Sequence, residues 1–182
     1  MTVAVSLVLS LGLVRLLEGS LSAFSPARIY PIHAVWMVLT FVSHFFYWWL
    51  LWNFRGETVA WNFARFFFVA LPAVVLYLQA TLLVSSLPRE VGSWREHYYS
   101  IAALFFGLNL AYLLLVQSMP WIVAGEQRLA PLAWFSVSSL GALAFVAAML
   151  SRKPGVHLAV AIVAIGLNSV AILGLFFVPL PD

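Results

Sequence analysis

Cysteine is absent from the 182-residue chain. Its absence excludes disulfide bonds, thiolate metal sites, iron–sulfur ligation and thiol nucleophiles. The sequence also lacks a Walker motif, a GxSxG elbow, an HExxH pair and paired intramembrane aspartates, which argues against ATPases, serine hydrolases, metalloproteases and aspartyl proteases. A TVGYG selectivity filter is missing too, which argues against an ordinary potassium channel. These absences favour a protein that is not an enzyme.

Charged residues are scarce as well. They make up 8% of the chain, against 64% for hydrophobic residues, whereas about a quarter of the residues in a soluble domain are charged. Lysine occurs once, as Lys153 in a predicted loop, so a retinal Schiff base inside a helical bundle is excluded. The net charge of +3 is carried by loop arginines and indicates membrane orientation, not nucleic-acid binding. The composition is that of an integral membrane protein.

Long apolar runs divide the chain into six segments, each long enough to form a membrane-spanning helix. Unbroken runs of this kind favour helices over the shorter, alternating strands of a β-barrel. We predict an all-α polytopic transmembrane bundle of six helices with short loops, in one domain that covers residues 1–182. The predicted spans are residues 2–24, 30–54, 61–87, 97–119, 132–151 and 156–178. Pro72 is expected to kink the third span, and residues 120–131 are expected to form the longest loop.

Basic residues are unevenly distributed between the loops. The odd-numbered loops contain five of them and the even-numbered loops contain two, respectively Arg28, Arg89, Arg95, Arg152 and Lys153, and Arg55 and Arg128. Because Lys and Arg are enriched in cytoplasmic loops, we predict that the odd-numbered loops are cytoplasmic and that both termini lie outside.

The second span carries a stripe of polar and aromatic side chains. Spacings of three and four residues place its members on one face of the helix, and they are His33, Trp36, Thr40, Ser43, His44 and Tyr47. With Asn109 in the fourth span and Asn168 in the sixth, this stripe can line a hydrated path, or it can lock helices together by hydrogen bonds. Gln79 and Gln117 fit either arrangement. Arg65 is then the outer mouth of the path or an interfacial anchor.

Three histidines are expected at one end of the bundle, because spans two, four and six all begin on the odd-loop side; they are His33, His97 and His157. Four charged residues are expected at the same depth, namely Arg15, Glu18, Arg95 and Glu96. Charges at this depth are costly unless paired or hydrated, so we predict a shared polar cluster. The histidines can form a metal, proton or anion site, since neutral imidazole binds zinc, copper or iron and titrates near neutral pH. The alternative is a set of interfacial residues and hydrogen-bonded histidines that needs no ligand.

His33 and His44 lie eleven residues apart, so on one helix their rings point the same way about 16 Å apart. Cytochromes that hold two stacked haems use such a pair, but each haem needs a second histidine from another helix. Since His97 and His157 both lie at the end of the bundle where His33 lies, two haems are not expected. One haem held by His33 with His97 or His157 remains an alternative. Otherwise His44 is expected to bond to a neighbouring helix.

Several short motifs resemble those of small bacterial multi-spanning inner-membrane proteins of unknown function. They are the run Arg15-Leu-Leu-Glu18-Gly19, His33 with Trp36, Trp48 and Trp49 with Trp52, and the run Arg95-Glu96-His97-Tyr98. The resemblance covers about the first 100 residues. It implies a protein of the bacterial inner membrane and implies no activity.

These observations lead to three hypotheses. The first is a multi-pass inner-membrane protein that assembles into a homo-oligomer in the lipid bilayer and conducts or senses an ion or small solute. The second is an intramembrane redox protein that binds a metal ion or haem through its histidines. The third is a non-catalytic subunit of a larger membrane complex, which the small size and the near absence of soluble segments favour.

Overall fold

The computed structural model describes residues 2–24, 29–53, 61–84, 93–123 and 132–176. These residues form six α-helices and no strand, which confirms the predicted all-α class. The helices are α1 (Thr2–Ala23), α2 (Pro31–Asn53), α3 (Phe63–Leu83), α4 (Trp94–Val123), α5 (Leu132–Leu150) and α6 (Pro154–Phe176).

Five of these helices are long and apolar enough to cross a membrane. The qualifying stretches are Val3–Leu21, Pro31–Trp52, Phe63–Leu83, Trp94–Ile122 and Pro154–Leu173. In α5 the described apolar stretch, Ser138–Leu150, is shorter. Such lengths and compositions are those of a multi-pass membrane protein.

Helix starts follow local capping chemistry. The Asn62 side-chain oxygen accepts a hydrogen bond from the backbone N–H of Arg65 at 2.9 Å and caps α3. Ser93 and Glu96 have the spacing of a capping box at the start of α4, and the Ser93 hydroxyl lies 3.5 Å from the Glu96 backbone nitrogen. This cap starts α4 three residues before the predicted boundary at His97.

The far end of α4 also differs from the sequence prediction. The predicted span ended at Met119, but α4 continues through Pro120 to Val123. Proline removes one hydrogen bond to the preceding turn, and membrane bundles tolerate this loss because neighbouring groups satisfy the freed carbonyl. The expectation that Pro120 begins the longest loop is therefore wrong. Pro72 lies inside α3, which is one continuous helix through that residue.

The second helix contacts four other helices of the bundle. Around the ring the helices follow the order α1, α3, α4, α5, α6 and α2, and each contacts the next. In addition, α2 contacts α3 and α4 across the ring. One side of α2 therefore packs on α1 and α3, and the other side faces α4 and α6.

Two glycines let α1 approach its neighbours closely. A Cβ atom added to Gly12 would lie 2.2 Å from Nε2 of His44 on α2. A Cβ atom added to Gly19 would lie 2.3 Å from Cγ2 of Val84, at the end of α3. Small residues commonly permit such close backbone approach between membrane helices.

Candidate functional site

The polar stripe of α2 divides between two environments. Trp36, Thr40 and Ser43 line a cavity between helices. His44 and Tyr47 face the opposite side, where the ring of His44 lies against Gly12 and the Tyr47 hydroxyl donates to the Val69 carbonyl of α3. The predicted pathway residues are thus only partly brought together.

The cavity has a volume of about 160 Å³ and lies between α2, α4, α5 and α6. A water molecule needs about 10–15 Å³ of such volume, so the cavity can hold several waters or one small solute. Its walls are mostly apolar, and its polar members come from all four helices; they are Thr40, Ser43, Asn109, Tyr112, Gln117, Ser138 and Asn168. Of the predicted pathway, the cavity therefore includes Asn109 and Asn168 as well as Trp36, Thr40 and Ser43 of α2.

The two asparagines of the cavity are held in the same way. The side-chain amide of Asn109 donates to the Phe105 carbonyl at 2.9 Å, and that of Asn168 donates to the Ala164 carbonyl at 2.9 Å. Each bond uses the amide nitrogen within its own helix. The amide oxygens are not used in these bonds, so they are the acceptors that the two side chains offer to a molecule in the cavity.

Tyr112 lines the cavity, and its ring also packs against the ring of Tyr47. Among the described residues, the Tyr112 hydroxyl is buried and has no hydrogen-bond partner. Leaving such a group unpaired costs about 1–3 kcal/mol. The described residues that line the cavity include no Asp, Glu, Lys or Arg, so the cavity offers uncharged donors and acceptors.

An aromatic layer closes one end of the cavity. Trp36 is 2% exposed and packs edge-on against three rings, with centroid distances of 5.5, 5.0 and 6.2 Å to Phe105, Phe106 and Phe145 respectively. Along α2 and α4, these residues come after the histidines and before the cavity amides. The layer therefore separates the cavity from the histidine end of the bundle.

Beyond this layer, two histidines bind the end of α3. Nε2 of His33 lies 2.9 Å from the Leu83 carbonyl oxygen, and Nε2 of His97 lies 3.1 Å from the Leu82 carbonyl oxygen. Because a carbonyl oxygen only accepts, each Nε2 carries a proton and donates it. The last carbonyls of a helix have no partner within the helix. The two imidazoles supply those partners and tie α2 and α4 to α3.

His157 is held separately by α4 and by the turn before α6. Its Nε2 lies 2.8 Å from the Ser151 carbonyl oxygen and donates to it. In the neutral ring, Nδ1 must then accept the hydrogen bond from the Tyr98 hydroxyl, which is 2.8 Å away. The rings of Tyr98 and Tyr99 flank the imidazole at 5.4 and 5.1 Å. Both nitrogens of His157 are therefore occupied.

The histidines do not form the predicted three-histidine metal site. The rings of His33 and His97 are in contact, with centroids 5.9 Å apart, but His157 packs on the other side of Tyr98. Within the described ranges, no group of three or more His, Cys, Asp or Glu residues is arranged to hold a metal ion. Hydrogen bonding explains this arrangement, because each Nε2 is used by a backbone carbonyl.

The charged members of the predicted cluster lie at the surface. Arg15 and Glu18 form the predicted pair, with Nη1 and Oε2 3.6 Å apart, on the outer side of α1. Arg95 and Glu96 are exposed and line an open cavity with Arg152. Nearby, burial and a hydrogen bond to Tyr99 raise the pKa of Tyr30, so its hydroxyl stays neutral.

Two other predicted residues lie away from the cavity. Arg65 is in the first turn of α3 and is half-buried. Gln79 is buried in α3. The sequence does not predict the aromatic layer. A phenylalanine in an apolar span can pack between helices or close a cavity, and the sequence does not distinguish the two roles. The pair Tyr98-Tyr99 directly after His97 is the sequence signal that indicates the tyrosine contacts.

Comparison of the chain with protein-family models, curated proteins and solved structures gives no match. The resemblance to small bacterial multi-spanning proteins stays a prediction. Functional inference therefore rests on the geometry of the site.

Proposed function

We propose that this chain is a transporter-like membrane protein that takes up a small uncharged polar solute in the cavity between α2, α4, α5 and α6. The observation that supports this proposal is the convergence of the Asn109 and Asn168 amides with Thr40 and Ser43 of the polar stripe of α2. A mostly apolar cavity with a few convergent polar groups is typical of a small-molecule site between bundle helices.

The uncharged lining favours a neutral solute over an ion. Ion pathways through membranes use rings of charged side chains or backbone carbonyls, and intramembrane charges commonly mark them. The described residues that line the cavity contribute hydroxyl and amide groups instead. We therefore assign the conducted or sensed species to the class of small uncharged polar molecules, which includes amides, alcohols and water.

The aromatic layer supports a transporter-like role. A solute in the cavity meets Trp36 and Phe106 before it meets the histidines. Apolar constrictions of this kind can act as gates in membrane pores. Movement of this layer is the step that would connect the cavity to the histidine end of the bundle.

Vesicle permeability tests this function. We expect vesicles that contain the protein to swell faster in urea or glycerol than protein-free vesicles, as measured by stopped-flow light scattering. Asn109→Leu and Ser43→Ala each remove a polar group from the cavity. Since one hydrogen bond contributes about 0.5–1.5 kcal/mol, we expect each change to slow solute entry by about two- to tenfold.

Ser118→Ala is a matched control for Ser43→Ala. Both hydroxyls donate to the carbonyl one turn earlier, Ser43 to Leu39 at 2.8 Å and Ser118 to Leu114 at 2.7 Å, but only Ser43 is among the residues that line the cavity. Equal effects of the two alanines, or wild-type vesicles no more permeable than lipid alone, would contradict the proposal.

We also propose the bacterial inner membrane as the location, with the odd-numbered loops in the cytoplasm. Of the basic residues in the charge comparison, Arg95 in the first turn of α4 and Arg152 and Lys153 between α5 and α6 are described and exposed. The other four, Arg28, Arg55, Arg89 and Arg128, lie outside the described residues. A single cysteine introduced within residues 88–92 of the cysteine-free chain is expected to react with an impermeant maleimide only after the cells are opened. Labelling of intact spheroplasts would show the opposite orientation.

A further inference from the structure

A second cavity, at the surface of the histidine end, is lined by arginines from two different elements. This surface cavity has a volume of about 570 Å³ and lies between the start of α4 and the turn that joins α5 to α6. Cavities of about 300–1,000 Å³ are the usual size of small-molecule sites. Its lining residues are Ser93, Arg95, Glu96, Tyr99, Ser100 and Arg152. None of them lines the solute cavity, so the two sites are separate.

The charges of the surface cavity favour an anion. Arg95 and Arg152 contribute two positive charges, and Glu96 contributes one negative charge. Among the described residues, neither arginine forms an ion pair with a carboxylate. The positive end of the α4 dipole also lies here, because α4 begins at Trp94. An anion in the cavity would therefore be attracted by both guanidinium groups and by the helix start.

The hydrogen-bond donors of the surface cavity suit a phosphate group. A guanidinium presents its N–H groups in a planar fork that binds two phosphate oxygens at once. The Ser93 hydroxyl faces the backbone N–H of Glu96 as an acceptor, and its own proton is not used in that contact. The Ser100 hydroxyl already donates to the His97 carbonyl at 2.7 Å. Two arginines and one serine are thus the side chains that can donate to a bound anion.

The surface cavity lies at the depth of the lipid headgroups. The apolar spans of α4 and α6 begin at Trp94 and Pro154. Arg95 and Arg152 lie within two residues of these starts. Phospholipid phosphates lie just outside the hydrocarbon core, and basic pockets between membrane helices commonly bind anionic headgroups. This placement holds for either orientation of the chain, since both membrane surfaces carry phosphates.

Exposed apolar side chains continue from the surface cavity into the membrane. Leu104 is one turn after Ser100 on the same side of α4, and Leu150 is two residues before Arg152. Both leucines are exposed. An acyl chain attached to a phosphate in the cavity can lie along them, whereas a free phosphate gains nothing from this surface.

We propose that the surface cavity binds a phosphate group and that an anionic phospholipid supplies it. The phosphate accepts hydrogen bonds from Arg95, Arg152 and Ser93. Because Arg95 belongs to α4 and Arg152 to the turn before α6, the bound lipid ties these two elements together. The lipid is therefore a ligand that stabilises the histidine end of the bundle.

Native mass spectrometry of the protein in detergent tests this site. We expect one dioleoylphosphatidylglycerol to bind at least about tenfold more tightly than dioleoylphosphatidylcholine, whose choline group the arginines repel. Arg95→Gln and Arg152→Gln should each weaken phosphatidylglycerol binding by about tenfold, because each removes charge-assisted hydrogen bonds. Glu96→Gln removes the negative charge from the cavity and should strengthen binding.

Lys153→Gln is the matched control for Arg152→Gln. Lys153 is the next residue and is also exposed, but it does not line the surface cavity. Its loss changes the charge of this surface by the same amount. Since salt screens exposed charges outside a site, we expect it to weaken binding by less than about threefold. Equal losses in the Arg152→Gln and Lys153→Gln proteins would show attraction to the overall charge and overturn the proposal.

Inorganic phosphate distinguishes a lipid from a free phosphate. We expect phosphatidylglycerol to raise the melting temperature of the natural protein more than that of the Arg152→Gln protein, and inorganic phosphate to raise neither. If inorganic phosphate raises the melting temperature of the natural protein alone, the phosphate site stands and its ligand comes from solution. If neither probe distinguishes the two proteins, the proposal is wrong. Urea entry into vesicles should be the same for both proteins, because Arg152 is outside the solute cavity.

Discussion

Replacement of Gly12 by alanine is expected to destabilise the bundle by about 1–3 kcal/mol, the usual cost of overpacking a core. The added methyl group would lie 2.2 Å from Nε2 of His44. That ring has little freedom to move, because it is 1% exposed and its Nδ1 donates to the Thr40 carbonyl at 2.7 Å. The free energy of unfolding in mixed detergent micelles measures the effect.

Gly166→Ala is the control for this substitution. Gly166 also lies in a helix, but no atom lies within 4 Å of the Cβ position there. Alanine is the better helix former by about 1 kcal/mol, so this variant is expected to be as stable as the natural protein or slightly more stable. Addition of His44→Ala to Gly12→Ala should recover part of the lost stability. Equal stabilities of the Gly12→Ala and Gly166→Ala proteins would contradict the close approach of α1 and α2.

Replacement of Trp36 by alanine is expected to have the largest effect. Removal of this buried ring leaves a void among Phe105, Phe106 and Phe145, and such Trp→Ala changes cost about 3–5 kcal/mol. The void would adjoin the cavity that Trp36 already lines. In a protein that still folds, the barrier between the cavity and the histidine end should be lowered. We therefore expect lower stability together with faster urea entry into vesicles.

Trp48→Ala is the matched control, because Trp48 lies on the same helix and is 43% exposed. Its loss should change stability far less and leave urea entry unaltered. Trp36→Phe, which keeps an aromatic ring in the layer, should retain most of the barrier. If Trp36→Ala vesicles are no more permeable than Trp48→Ala vesicles, the aromatic layer is not the barrier.

Hydropathy is sufficient to predict the number of helices but not all of their ends. The apolar runs predict six helices, and the described residues contain six. The two ends of α4 are misplaced because capping at Ser93 and helix continuation through Pro120 depend on local hydrogen bonding. Hydropathy does not report those bonds.

The spacing rule predicts the face of α2 but not its partners. It places Thr40, Ser43, His44 and Tyr47 on one side of a helix, yet contacts with α1 and α3 separate His44 and Tyr47 from the cavity. Residues 36–47 extend through much of the helix length, and the neighbouring helices at each depth decide what each side chain meets. That information lies in the tertiary arrangement.

For the histidines, too, the sequence predicts the position but not the bonding partners. Topology predicts His33, His97 and His157 at the same end, and His33 and His97 do meet there. Their role depends on the carbonyls of Leu82 and Leu83, which become available only where α3 ends against α2 and α4. A backbone acceptor has no signature in the sequence, so the sequence alone does not distinguish the metal interpretation from the hydrogen-bonded interpretation.

Access of water to the cavity is the most direct test of the central claim that the polar stripe of α2 lines a solute site. Ser43→Cys places a single thiol in the cavity, and Leu143→Cys places one on the exposed outer side of α5. Because the thiolate is the group that attacks a methanethiosulfonate, and a thiolate forms in a hydrated environment, we expect a small water-soluble methanethiosulfonate to modify Ser43→Cys much faster. Urea or glycerol should slow that reaction by occupying the cavity. Modification of Ser43→Cys as slow as that of Leu143→Cys would contradict the claim.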